Sequence, residues 1–86
     1  SGFRVTSPDA GASIPYGRPI TFTAVPSAGT VTSISYYVNG GLVGTAVQAP
    51  YVLLFTPNAR GTAVLRAVAL YANGTSEEQT ITFTIQ

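Results

Sequence analysis

The sequence predicts an all-β domain, a sandwich or a barrel of about seven short strands, and three observations predict it. Apolar and polar residues alternate almost without interruption, helical periodicity is nowhere convincing, and every alternating run ends in turn chemistry. Such strands at such spacing need a second layer or closure on themselves to bury their apolar side.

Taken in order, "FRVTS" (3–7) reads as a first strand that turns at "PDAG" and continues through "ASIP" (12–15). "RPITFTAV" (18–25) sets Ile20, Phe22 and Ala24 against Thr21, Thr23 and Val25. "TVTSISYYVN" (30–39) puts Ile34, Tyr36 and Val38 on one face and Ser33, Ser35 and Tyr37 on the other. "GLVGTAV" (41–47) follows, and "YVLLFT" (51–56) turns Tyr51, Leu53 and Phe55 away from Val52 and Leu54. In "TAVLRAVALY" (62–71) Ala63, Leu65, Ala67 and Ala69 oppose Val64, Arg66, Val68 and Leu70. "EQTITFTIQ" (78–86) alternates Ile81, Phe83 and Ile85 with threonines. The connectors "PSAG", "NGG", "QAP", "PNARG" and "ANGT" are all turn sequences.

The glycine-rich "YYVNGGLVG" (36–44) is a turn and not a ligand cradle. Asn39-Gly40 between alternating runs is a type I′ hairpin signal, since both central residues need positive φ. Gly41 relieves the turn exit, and Gly44 suits a bulge or a close backbone approach. A phosphate loop would lead into a helix N-terminus, and no helix follows.

At 86 residues the chain is expected to be one domain, 1–86. It starts "SG" and runs directly into a strand, which reads as a piece of a longer protein. Apolar residues make up 45% and charged ones 8%, too apolar for disorder. Four scattered arginines and no lysine make a poor footprint for nucleic acid. The longest apolar runs are far too short for a membrane helix, so no membrane insertion is expected.

With no His, Cys or Lys, a nucleophilic Ser has no base to activate it. Of the three acids, Glu77 and Glu78 are neighbours in a strand and so face opposite ways, which leaves no carboxylate pair. No enzyme, no cofactor and no zinc site is expected. A calcium site needs Asp9 to approach Glu77 or Glu78, together with backbone carbonyls. Without lysine an isopeptide crosslink cannot form. "NGT" at Asn73 matches a glycosylation sequon, and in a bacterial protein it reads as a turn.

The runs "VTSISYYVNGGLVG", "APYVLLFTP" and "GTAVLRAVALYANG", with the opening "VTSPDAGASIPYGRPITFTA", resemble the bacterial immunoglobulin-like domains found between modules of secreted and surface enzymes. The resemblance implies an immunoglobulin- or fibronectin-III-like β-sandwich of about seven antiparallel strands, A, B and E against C′, C, F and G. It departs at Phe55, where relatives carry Trp, at Ala63, where many have Tyr, and at Tyr71, where many have Asp. The first two repack the core. The third removes a carboxylate from any family site that uses it.

The resemblance implies an accessory role: a spacer in an extracellular or cell-surface bacterial protein, with neighbouring domains of the same parent as partners and a monomer in isolation. On the sandwich, loops at one end gather Tyr16, Arg18, Asn39 and Arg60, groups that suit a glycan or a protein loop. The outward face of two strands offers Tyr37, Val64, Arg66, Val68 and Leu70 for a neighbouring domain. The alternative is a carbohydrate-binding module on exposed tyrosines, which needs two or three coplanar rings in line. A third is adhesion to a protein by edge-strand pairing.

Overall fold

Alternation leaves each sheet with one apolar face, and the two faces close on each other. The computed structural model describes residues 3–27 and 29–86. Its strands are β1 (Arg4–Ser7), β2 (Ser13–Ile14), β3 (Ile20–Val25), β4 (Val31–Val38), β5 (Gly41–Ala46), β6 (Leu53–Phe55), β7 (Gly61–Tyr71) and β8 (Ser76–Ile85). A three-stranded sheet in the order β1-β3-β6 covers a five-stranded sheet in the order β2-β8-β7-β4-β5. In immunoglobulin lettering this is A, B and E against G, F, C and C′, with β2 added beside G. The expected turn at 26–29 includes Ala28, which lies outside the described residues.

One expectation is corrected. The 12–15 segment does not extend the first strand. Ser13 and Ile14 pair in parallel with Thr84 and Ile85 of β8, in the opposite sheet. Pro8 has no N–H to donate, and Gly11 takes a φ of +80°, so the chain leaves β3 and crosses the gap between the sheets. Gly11 N–H then donates to the Thr82 carbonyl at 2.8 Å, and Thr84 N–H to Ala12 at 2.8 Å. Eight strands result instead of seven.

The core follows the predicted parities. Phe22, Ile34, Tyr36, Leu65, Ala67, Ala69 and Phe83 are fully buried. The Phe22 ring stacks on Phe55 at 5.0 Å, lies 5.6 Å from Tyr36 and meets Phe83 edge-on at 6.3 Å, which ties the two sheets through aromatic contact. The small residues of β7 leave room for these rings. Phe55 is thus a working member of the aromatic cluster.

Two bulges adjust the pattern. One at Thr32 lets Val31 and Ile34 both face inward although they are three residues apart. The other, at Val43, sits beside Gly44, where an added Cβ would come within 3.0 Å of Leu53 Cδ1. The hairpin between β4 and β5 is the expected one: Asn39 and Gly40 take φ values of +51° and +86°.

The sandwich measures 39 × 22 × 20 Å. Arg4 pairs with Val25, next to the 26–30 segment and the 72–75 turn, so the described chain starts at one pole of the long axis. It finishes at the other pole, where Tyr16 N–H donates to the Gln86 carbonyl at 3.0 Å.

Candidate functional site

The carboxy-terminal pole carries the loop 15–19, the Asn39-Gly40 turn and the 56–60 segment. Here the Arg60 guanidinium lies 4.3 Å from the centre of the Tyr16 ring, a cation–π contact between two exposed side chains. Arg18 is exposed in the same loop as Tyr16. Asn39 is committed to the fold: its N–H donates to the Val64 carbonyl at 2.9 Å, and its Oδ1 accepts from Val64 N–H at 2.8 Å. Tyr16 and Arg60 thus meet as expected, while the Asn39 acceptor is already used.

The outer face of the five-stranded sheet carries the second expected group. Tyr37 stands opposite Arg66 in register, and the guanidinium sits 5.2 Å from the ring centre. Arg66 also grips Glu78 with two hydrogen bonds, Nε to Oε2 at 3.2 Å and Nη2 to Oε1 at 2.9 Å. These bonds hold the Glu78 carboxyl below its usual range and raise Arg66. Val64 and Leu70 are exposed, and Val68 lies half-buried between them. The aliphatic column is broken in the middle by the Tyr37–Arg66–Glu78 group.

A third cluster was not foreseen. At the amino-terminal pole Glu77 lies opposite Ala69, on the core side of β8. Its Oε1 accepts from Ser27 Oγ at 2.6 Å and from the Tyr71 hydroxyl at 2.6 Å. Ser27 N–H donates in turn to the Tyr71 hydroxyl at 3.3 Å. Hydrogen bonds from Ser27 and Tyr71 hold the Glu77 carboxyl below the ordinary carboxylate range. Beside it is an open cleft of about 560 Å³ whose lining includes Thr30, Asn73 and Thr75. Asn73 Oδ1 caps the turn by accepting from Thr75 N–H at 3.0 Å. The Tyr71 hydroxyl orients the carboxylate of Glu77. Tyr71 and Glu77 lie six positions apart across one hairpin, but Ser27 lies 44 positions from Tyr71 and 50 from Glu77, so no local motif announces the cluster.

Glu77 is held by Ser27 and Tyr71, Glu78 points outward to Arg66, and no group of three metal-ligating side chains forms among the described residues. Among those residues no helix is long and apolar enough to cross a membrane. Tyr16, at 42% exposure, is the most exposed aromatic ring among the described residues, and Tyr37, Tyr51 and Phe55 are half-buried. The buried Tyr36 hydroxyl donates to the Tyr51 carbonyl at 2.8 Å, and burial pushes its pKa up to about 12.

Among solved structures the chain is similar to the fibronectin(III)-like modules of Clostridium thermocellum CbhA. Identity is 28% with a TM-score of 0.88, covering 98% of this chain and 45% of that one. This chain therefore spans less than half of that solved chain. CopC from Methylosinus trichosporium OB3b shares the fold at 23% identity and a TM-score of 0.60, covering 98% of this chain and 93% of that one. No curated protein matches. A sequence profile described as bacterial Ig domain matches residues 3–82. With that match spanning nearly the whole sandwich, the chain belongs to the bacterial Ig domain family.

Proposed function

We propose that the chain is a non-catalytic spacer in a bacterial secreted or cell-surface multidomain protein, setting the distance and orientation of its neighbours. The observation that carries this reading is the placement of the chain ends. The backbone begins at one pole and finishes at the other of a sandwich 39 Å long, so a module in series adds its full length. The CbhA relative, of which this chain covers 45%, is itself a set of modules, which fits such an arrangement. The chemistry of the surface supports the reading. Polysaccharide platforms use several exposed rings, and among the described residues Tyr16 is the one well-exposed ring, with Arg60 over it, while Tyr37 is half-buried on another face.

The test is retention of the isolated domain on insoluble chitin, cellulose and xylan, with Tyr16→Ala and Tyr37→Ala as controls. The spacer reading expects the protein in the unbound fraction for all three. Retention that disappears in either variant overturns it in favour of a carbohydrate-binding module.

A further inference from the structure

Glu77 at one pole and Arg18 and Arg60 at the other form no ion pair among the described residues, and Arg4, which shares the pole of Glu77, does not pair with it either. At the amino-terminal pole Glu77 Oε1 is saturated by two hydroxyl donors, while Oε2 has no partner among the described residues. The carboxylate also has no cation, because Arg66 and Glu78 form the only ion pair among those residues. At the carboxy-terminal pole Arg60 and Arg18 form no ion pair among the described residues. Tyr16 holds the Arg60 guanidinium in place by its ring face and leaves the N–H edges free to donate. The hydrogen bonds from Ser27 and Tyr71 favour the charged form of Glu77 and fix the direction in which its free oxygen points.

This inference rests on the reading of the chain as one module in a series. We propose that the Glu77 cleft receives the arginine-bearing pole of a second copy of this chain, with Arg60 and Arg18 as the cations opposite Glu77. The two surfaces lie at the ends of the long axis, where successive modules meet, so docking needs no bend in the chain. The cleft of about 560 Å³ has room for a guanidinium, and the hydroxyls of Thr30 and Thr75 in its lining can accept the remaining N–H groups. A contact of one carboxylate with exposed arginines is weak between free molecules. Between linked modules it becomes intramolecular, at an effective concentration on the order of millimolar, and then suffices to set their angle. Because the contact is head-to-tail, it does not close on itself and free copies would add end to end.

The experiment is an NMR dilution series of the isolated domain up to several millimolar at low salt, followed by the same series for Glu77→Gln and for Arg18→Ala/Arg60→Ala. Glutamine keeps an acceptor for Ser27 and Tyr71, so that variant loses only the charge. The expected result is concentration-dependent amide shifts at both Ser27–Glu77 and Tyr16–Arg60, abolished in either variant alone. An equimolar mixture of the two variants restores them, because one intact cleft then meets one intact arginine pole. Raising the salt weakens the association several-fold. Absence of any concentration dependence overturns the proposal. So does association that survives Glu77→Gln, which would place the contact on the β5 edge or the outer sheet face. A mixture that fails to restore the shifts overturns it too. None of these outcomes bears on polysaccharide retention, so this proposal and the spacer reading fail separately.

Discussion

The two long sides of the sandwich are closed by different physics. On the β1–β8 side the gap between the sheets is bridged by polar groups. β2 crosses to cover the edge of β8, and Gln79 Oε1 accepts from the Val5 N–H of edge strand β1 at 2.7 Å. At the end of the same side Glu77 gathers Ser27 and Tyr71. On the β5–β6 side there is no charge to use, since residues 19–59 contain none. Gly44 there admits Leu53 closely, and two tyrosines hold the backbone: Tyr36 hydroxyl to the Tyr51 carbonyl, and Tyr51 hydroxyl to the Val31 carbonyl at 2.9 Å. These bonds offset the cost of holding Tyr51 at a φ of +60°, which is about 1–2 kcal/mol for a residue with a Cβ.

The contrast extends to exposure. Leu42 is 60% exposed, Val47 66% and Leu54 69%, all on the uncharged side. Natural sheets blunt their edges with charge, proline or bulges. Here β5 has the bulge at Val43 alone. Both sides are hydrogen-bonded, but only the β5–β6 side also depends on the close fit of Leu53 against Gly44.

The largest effect is expected where fit is tightest. Gly44→Val pushes into the Leu53 side chain and should destabilise by about 1–3 kcal/mol, read as a lower urea midpoint. If Leu53 simply turns aside, the midpoint will not move, and the β5–β6 side is looser than described.

Next is Tyr36→Phe, which leaves the Tyr51 carbonyl without its donor and should cost about 1–2 kcal/mol at neutral pH. Its pH dependence sharpens the point. The folded-state pKa is raised from 10.0 to about 12, so the native state keeps a proton that the unfolded chain releases. The stability is complete below pH 10 and drains away as the pH climbs towards 12, by roughly 3 kcal/mol at 1.36 kcal/mol per unit. In Tyr36→Phe the alkaline limb of a stability–pH curve should be shallower by that contribution.

On the polar side Gln79→Ala should cost less, about 0.5–1.5 kcal/mol, because the freed Val5 N–H lies at an edge that water can reach. A loss as large as that of Gly44→Val would show that the side depends on this bond for closure. Smallest are the acidic residues. Glu77 and Glu78 have depressed carboxyls, so they stabilise above the ordinary carboxylate range and lose that contribution as pH falls through their folded values. Glu77→Gln and Glu78→Gln should each flatten the acid limb slightly in the same measurement. An unchanged limb in both would mean that these hydrogen bonds are exchanged freely with water.

Much of this was legible from neighbouring residues. The burial of Phe22, Tyr36, Leu65 and Phe83 followed from parity alone, because side chains on a strand alternate between faces whatever they later meet. The Asn39-Gly40 turn followed from the steric freedom of those two residues at positive φ. Tyr16 and Arg60 were placed together by counting loops at one pole. The polar cleft was not legible, because Ser27, Tyr71 and Glu77 come from three separate elements and Glu77 reads locally as an ordinary solvated acid.

By itself, then, the sequence determined strand identity, inward faces and the hairpin, all consequences of backbone sterics and residue type acting over a few positions. The tertiary structure decided what depends on distant partners. It moved Ile14 into the opposite sheet beside Ile85, put bulges at Thr32 and Val43, and committed Asn39 to Val64. It also gave Glu77 its hydroxyl donors Ser27 and Tyr71 at one pole and set Arg60 over Tyr16 at the other. Register and charge placement emerge only when two sheets close on a shared core, since backbone groups and carboxylates far apart in sequence find their partners there and nowhere earlier.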